Sequence, residues 1–222
     1  SQVTQEGQGW LRVHVGVIAT PSQASHPNTA WKDSAATTTV MHLLEEGAHV
    51  ISGDDVYGGT FRLFDKVLAH RSIDFSFVDL TKPGALEEAI RPNTRAIWTE
   101  TPTNPMMKVV DLEAICQTAK KHGIKVFTDN TFATPVFQKP LELGADVVVH
   151  STTKFLNGHS DVVGGVACTN DDELAETIFG AAMIDDDGLV VWNEGGDGAA
   201  VGTNSSYTGG ISALADLTGD GY

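Results

Sequence analysis

An α/β fold built on a mostly parallel sheet is predicted for this 222-residue chain by three observations. Between residues 34 and 179, short apolar runs alternate with helically spaced segments about six times. The links between them are short and rich in turn-forming residues, and such alternation places parallel strands between two layers of helix. Hydrophobic residues make up 41% of the chain, enough for the core of one large domain.

Residues 1–33 show no clean periodicity, and Pro21, Ser22, Pro27 and Asn28 mark turns. From Ser34, the spacing of Ala35, Ala36, Val40, Leu43 and Leu44 predicts a helix with Gly47 as its stop. Residues 49–53 read as a strand, 60–70 as a helix and 73–79 as an alternating strand. A short helix over 85–90 precedes a strand over 95–99. Asp111 caps a helix that runs to His122 and stops on Gly123. A strand follows over 124–128, then a helical turn or two over 137–143 and a strand over 145–150. The last strand spans 162–169 and the last helix 171–178.

Charge narrows the function. The chain carries 14 Lys+Arg against 29 Asp+Glu, a net charge of −15. All 14 Lys and Arg residues lie in 1–154 with 17 of the acids, whereas 155–222 hold the other 12 acids and no Lys or Arg. So acidic a chain repels a polyphosphate and offers no basic patch to an anionic bilayer, so neither nucleic acid nor membrane is expected as a partner. No stretch approaches the roughly 20 apolar residues that cross a bilayer. Residues 1–20 lack a secretory leader, and the chain opens on Ser1, as a fragment or a processed chain would. Cys116 and Cys168 match no zinc or redox spacing; they are expected to be buried, reduced thiols in a cytoplasmic protein.

In open α/β sheets, ligands sit at the carboxyl ends of strands, so four loops matter most. After residue 150 come Ser151, Thr152, Thr153 and Lys154. A lysine there can form a Schiff base with a carbonyl cofactor, with burial lowering its pKa and the hydroxyls bonding a phosphate. The alternative is a solvated lysine in a Ser/Thr loop. Asp129, after the strand over 124–128, can keep a pyridinium nitrogen protonated, or it is an ordinary turn residue. Tyr57 can stack on a flat ring while Gly58 and Gly59 allow close backbone approach, or the three form a plain glycine turn. Asn104, between Pro102 and Pro105, can offer a fixed amide donor, or it is a turn asparagine. The four signals fall together on four strand ends.

These residues resemble the cystathionine/methionine metabolism family of pyridoxal-phosphate enzymes, which includes cystathionine γ-synthase, cystathionine γ-lyase and methionine γ-lyase. The likeness is carried by DDVYGGTFRLF from Asp54, ETPTNP from Glu100, DNTFATPVFQKPLELGAD from Asp129 and HSTTKFLNGHSDVVGG from His150. It implies the major domain of the aspartate-aminotransferase-like fold over 34–179, with pyridoxal 5'-phosphate as cofactor. It further implies Lys154 as the Schiff-base lysine and proton shuttle, Asp129 as the partner of the pyridinium nitrogen, and Tyr57 as the stacking ring that assists proton transfer. Ser151 and Thr153 would bind phosphate, and Asn104 would lie near the cofactor phenolate and the substrate. No metal is implied. The implied chemistry is γ-elimination or γ-replacement on a sulfur-containing or homoserine-derived amino acid, carried out by a homodimer or homotetramer.

The pattern departs from the family at both ends. Where the family opens a phosphate-cradling helix with Ser-Gly-(Met or Leu)-Ala-Ala, this chain has Lys32-Asp33-Ser34-Ala35-Ala36, and Asp33 would face the phosphate. Residues 1–33, a divergent N-terminal segment, hold no tyrosine for the Tyr-x-Arg contact that members make to a neighbouring subunit. No arginine follows Arg95 to bind a substrate carboxylate, so the C-terminal small domain is expected to be absent and the chain reads as a truncated or chimeric member. Residues 180–222 form an acidic Gly/Asp-rich tail in which Asp216, Asp220 and Gly221, echoed by Asp185, Asp187 and Gly188, are similar to a calcium loop of the FG-GAP type. Two alternatives therefore stand beside the enzyme: a catalytically incompetent fragment of the family, and a calcium-binding module led by the tail.

Overall fold

Successive residues of the central strands point to opposite faces of a sheet, and both faces are buried. The computed structural model describes residues 14–20, 35–159, 163–182 and 189–193. The readings placed on Lys32, Asp33 and Ser34 and on the aspartates of the tail lie outside the described residues.

Among the described residues eight strands form one sheet: β1 (His14–Thr20), β2 (His49–Gly53), β3 (Asp74–Val78), β4 (Thr94–Glu100), β5 (Lys125–Asp129), β6 (Val147–Ser151), β7 (Val163–Thr169) and β8 (Leu189–Asn193). Their order is β3-β2-β4-β5-β6-β7-β1-β8. The five strands β3 to β6 in that order are parallel, and β7, β1 and β8 then add antiparallel. A parallel neighbour needs a crossover of a dozen or more residues, usually helical. Between β6 and β7 lies only the short segment 152–162, so β7 turns back on β6.

Helices cover the sheet on both sides. They are α1 (Ala35–Met41), α2 (Gly58–Arg62), α3 (Ala85–Ala89), α4 (Leu112–His122), α5 (Thr134–Phe137) and α6 (Asp172–Ala182). A π-helical stretch, Leu63–Leu68, and a 3-10 turn, Ala69–Arg71, extend α2. Val50, Trp98, Phe127, Val147 and Val149 face α1, the extended α2 and α6, meeting Val40, Met41, Phe64 and Ile178. Their strand neighbours Ile51, Ile97, Val126 and Val148 face α3 and α4, meeting Leu86, Leu112, Ile115 and Cys116. Trp98 and Phe64 are fully buried and meet edge-on, with ring centroids 5.5 Å apart. Each such side chain contributes about 1.5–3 kcal/mol through burial.

Most elements lie where the sequence places them, and α4 shows why. Asp111 Oδ1 accepts the Ala114 N–H at 3.0 Å, and Gly123 closes the helix at φ 67°. Three features differ. β1 and β8 occupy stretches in which no element was expected. The helical turn expected over 137–143 sits earlier, at α5, where Pro135 starts it, and 140–144 form a turn closed by Gly144 at φ 104°. Cys116 and Cys168 are buried free thiols, as expected. Among the described residues no helix is long and apolar enough to cross a membrane.

Candidate active site

The sheet order creates one crevice. From β2 the chain crosses outward to β3, and from β4 it crosses the other way to β5, so the loops after β2 and β4 part company. Such a switch point leaves a cleft outside the carboxyl ends of the two strands. A cavity opens there. Tyr57, Asn104, Asp129, Ser151 and Lys154 all line it, together with Thr37, Thr60, Glu100, Thr131, Phe132 and Val149. Five of the six residues singled out in the sequence thus reach one space.

Each is held by its own loop. Tyr57 is the N-cap of α2, and its ring lies so close to Gly59 that any Cβ there would overlap it. Asn104 belongs to a loop pinned by Asp55, which accepts the Thr103 hydroxyl and, at 3.0 Å, the Met106 N–H. Lys108 ties the same loop to Asp54 at 2.8 Å and to Asp79 at 3.5 Å. Asp129 ends β5 and accepts the Thr131 N–H at 2.9 Å, while the Thr131 hydroxyl accepts the Ser151 N–H at 2.8 Å. One threonine therefore links the ends of β5 and β6.

Two expectations need amending. Thr153 does not line the cavity; its hydroxyl accepts the Gly164 N–H at 3.0 Å and so fastens the turn after β6 to β7. Lys154 lies in a π-helical turn, Thr152–Leu156, at φ −93° and ψ −119°, and it is exposed rather than buried. A lysine on the wall of an open cleft keeps its water until the cleft is filled.

The electrostatics of the cavity call for a cation. Glu100 and Asp129 stand opposite each other in register at the ends of β4 and β5. Burial, then the charge of Asp129, pushes the Glu100 carboxyl up to about 8, although the Tyr57 and Asn104 backbone N–H groups favour its charged form. Burial also raises Asp129, against two hydrogen bonds from Thr131. Ser151 Oγ is buried and has no hydrogen-bond partner among the described residues. Such a hydroxyl costs free energy unless something in the cavity bonds it. His150, beside it, is held down to about 4 by burial and stays neutral. A flat cationic heteroaromatic with polar substituents suits this set: carboxyls for the cation, Tyr57 for the ring, Ser151 for an oxygen.

Glu100 is the residue that sequence reasoning missed. It closes an apolar strand and so reads as the first residue of a loop; only the register with Asp129 reveals its place.

The family model for the Cys/Met metabolism PLP-dependent enzymes matches residues 28–208. A probable cystathionine gamma-synthase of Herpetosiphon aurantiacus is 50% identical over 161 residues, 72% of this chain and 50% of that protein. A cystathionine beta-lyase of Coxiella burnetii is 51% identical over 146 residues, 65% of this chain and 38% of its own length. The crystal structure of cystathionine gamma-lyase from Lactobacillus plantarum complexed with L-serine superposes with a TM-score of 0.68 at 45% identity, over 75% of this chain and 41% of that one. The chain thus spans half or less of the length of these relatives.

Proposed function

The chain belongs to the family of Cys/Met metabolism PLP-dependent enzymes, and from that premise we propose that it serves γ-elimination or γ-replacement on a sulfur-containing or homoserine-derived amino acid. The observation that carries this reading is the convergence of Tyr57, Asn104, Asp129, Ser151 and Lys154 on a cavity with two buried carboxyls, both shifted upward. The residues present fit pyridoxal phosphate, whose chemistry is that of an electron sink acidifying the Cα–H of a bound amino acid.

Roles follow from the side chains. Asp129 would hold the ring nitrogen protonated through a carboxylate already oriented by Thr131. The Tyr57 ring, backed by Gly59, would cover one face of the cofactor ring. Ser151 would give its unpartnered hydroxyl to the phosphate, and Thr153 would keep the turn in place through Gly164. Asn104 would turn its amide toward the ring oxygen and the substrate. Lys154 would supply the amine that holds the cofactor and then move a proton between Cα and Cβ of the substrate.

Turnover tests the reading. The purified chain, loaded with pyridoxal phosphate and given L-cystathionine or an O-acylated homoserine, is expected to release a 2-oxo acid or, with cysteine present, to form a thioether. The Lys154→Ala variant should do neither. Equal product from both chains, or none from the loaded parent, would count against the assignment.

A further inference from the structure

Glu100 sits at the centre of the switch crevice, 7% exposed, on the strand end that faces Asp129. Its Oε2 accepts the backbone N–H of Tyr57 at 2.8 Å, from the far side of the crevice. The backbone N–H of Asn104 favours the charged form of the same carboxyl. Tyr57 caps α2 without any side-chain cap bond of its own, so its backbone orientation depends on this outside acceptor. The clamp from Asp55 reaches Thr103 and Met106 but not Tyr57. A buried acid is a costly way to fill space, and it is retained where its bonds are needed.

We propose that Glu100 is a positioning residue for the cofactor, joining the loop after β2 to the loop after β4 through the Tyr57 and Asn104 N–H groups and so setting where that ring and that amide stand. The inference rests on reading the cavity as a pyridoxal-phosphate site. The titratable groups around Glu100 are Asp129 on β5, Asp55 in the loop after β2, and Tyr57 and Lys154 on the cavity wall. Raised by burial and by Asp129, its carboxyl is a mostly neutral acceptor at pH 7. A glutamine has the same reach and the same neutrality.

Three variants test this, with the pyridoxal-phosphate dissociation constant read from the lysine-dependent visible band. Glu100→Gln should bind within about threefold of the parent, since the acceptor remains. Glu100→Ala should bind about tenfold or more weakly, and Glu100→Asp, one methylene short, should weaken as well. Should the alanine variant fail to fold, the aspartate and glutamine variants carry the comparison. A second readout needs no cofactor: the melting temperature of the free chain should fall between pH 6.5 and 8 in the parent and fall less in Glu100→Gln. A folded Glu100→Ala or Glu100→Asp with parental affinity would overturn the proposal, as would a glutamine variant that binds no better than alanine or keeps the full parental fall with pH. No band in the parent overturns the cofactor reading and this inference together. A normal band in both parent and Glu100→Ala overturns this inference alone.

Discussion

A Cβ on Gly59 would overlap the Tyr57 ring, whereas one on Gly58 meets nothing nearer than Arg62 Nη1 at 4.0 Å. The two glycines of the pair therefore have different work. Gly59→Ala should displace the ring and weaken pyridoxal-phosphate binding roughly tenfold, the effect of about 1–3 kcal/mol of overpacking. Gly58→Ala should leave affinity unchanged; equal losses in both would show that the ring contact is not what matters. The pH window is also set here. Glu100 moves from 4.5 to about 8 on folding, so between those values the folded chain holds a proton that the unfolded chain has released, and stability falls as pH rises. His150 moves the other way, from 6.5 to about 4, and makes stability rise with pH below 6.5. From pH 6.5 to 8 only the Glu100 slope of these two remains, at most about 1.4 kcal/mol per pH unit. At this scale the sequence was informative where a side chain carries its own chemistry, as Lys154, Asp129 and Tyr57 do. It was silent on Glu100 and Thr131, whose importance comes from strands brought together by the fold.

At the scale of elements, α1 lies on β7 with almost no space between them. A Cβ on Gly165 would stand 2.8 Å from the Ala36 Cβ, so this glycine lets the helix close over the sheet beside the cavity that Thr37 lines. Gly165→Ala should cost about 1–3 kcal/mol in denaturant unfolding, with part of that regained by pairing it with Ala36→Gly. An unchanged unfolding midpoint would show that the helix moves freely. Elements with local punctuation were legible: Asp111 and Gly123 delimit α4 through bonds made within one turn of the chain. β1 and β8 were not, because Ile18 beside Val17 breaks the alternation of one and the other lies within an acidic, glycine-rich stretch. Both are fixed by antiparallel pairing with distant partners. The direction of β7 has no side-chain signature either; it follows from the brevity of the link before it.

For the molecule as a whole, charge and site divide at the same place. Lys154 is the last Lys or Arg of a chain with net charge −15, and it lies on the wall of a cavity already occupied by two carboxyls. The central claim is that this cavity holds pyridoxal phosphate through that lysine, with Asp129 at its ring nitrogen. The most direct measurement is a titration of the purified chain with pyridoxal phosphate, following its visible absorption, in the parent, Lys154→Ala and Asp129→Ala chains. A saturable band is predicted in the parent, absent from Lys154→Ala and at least about tenfold weaker in affinity in Asp129→Ala, as loss of one buried charge partner requires. A parent without a saturable band, or a band that survives Lys154→Ala unchanged, would contradict it.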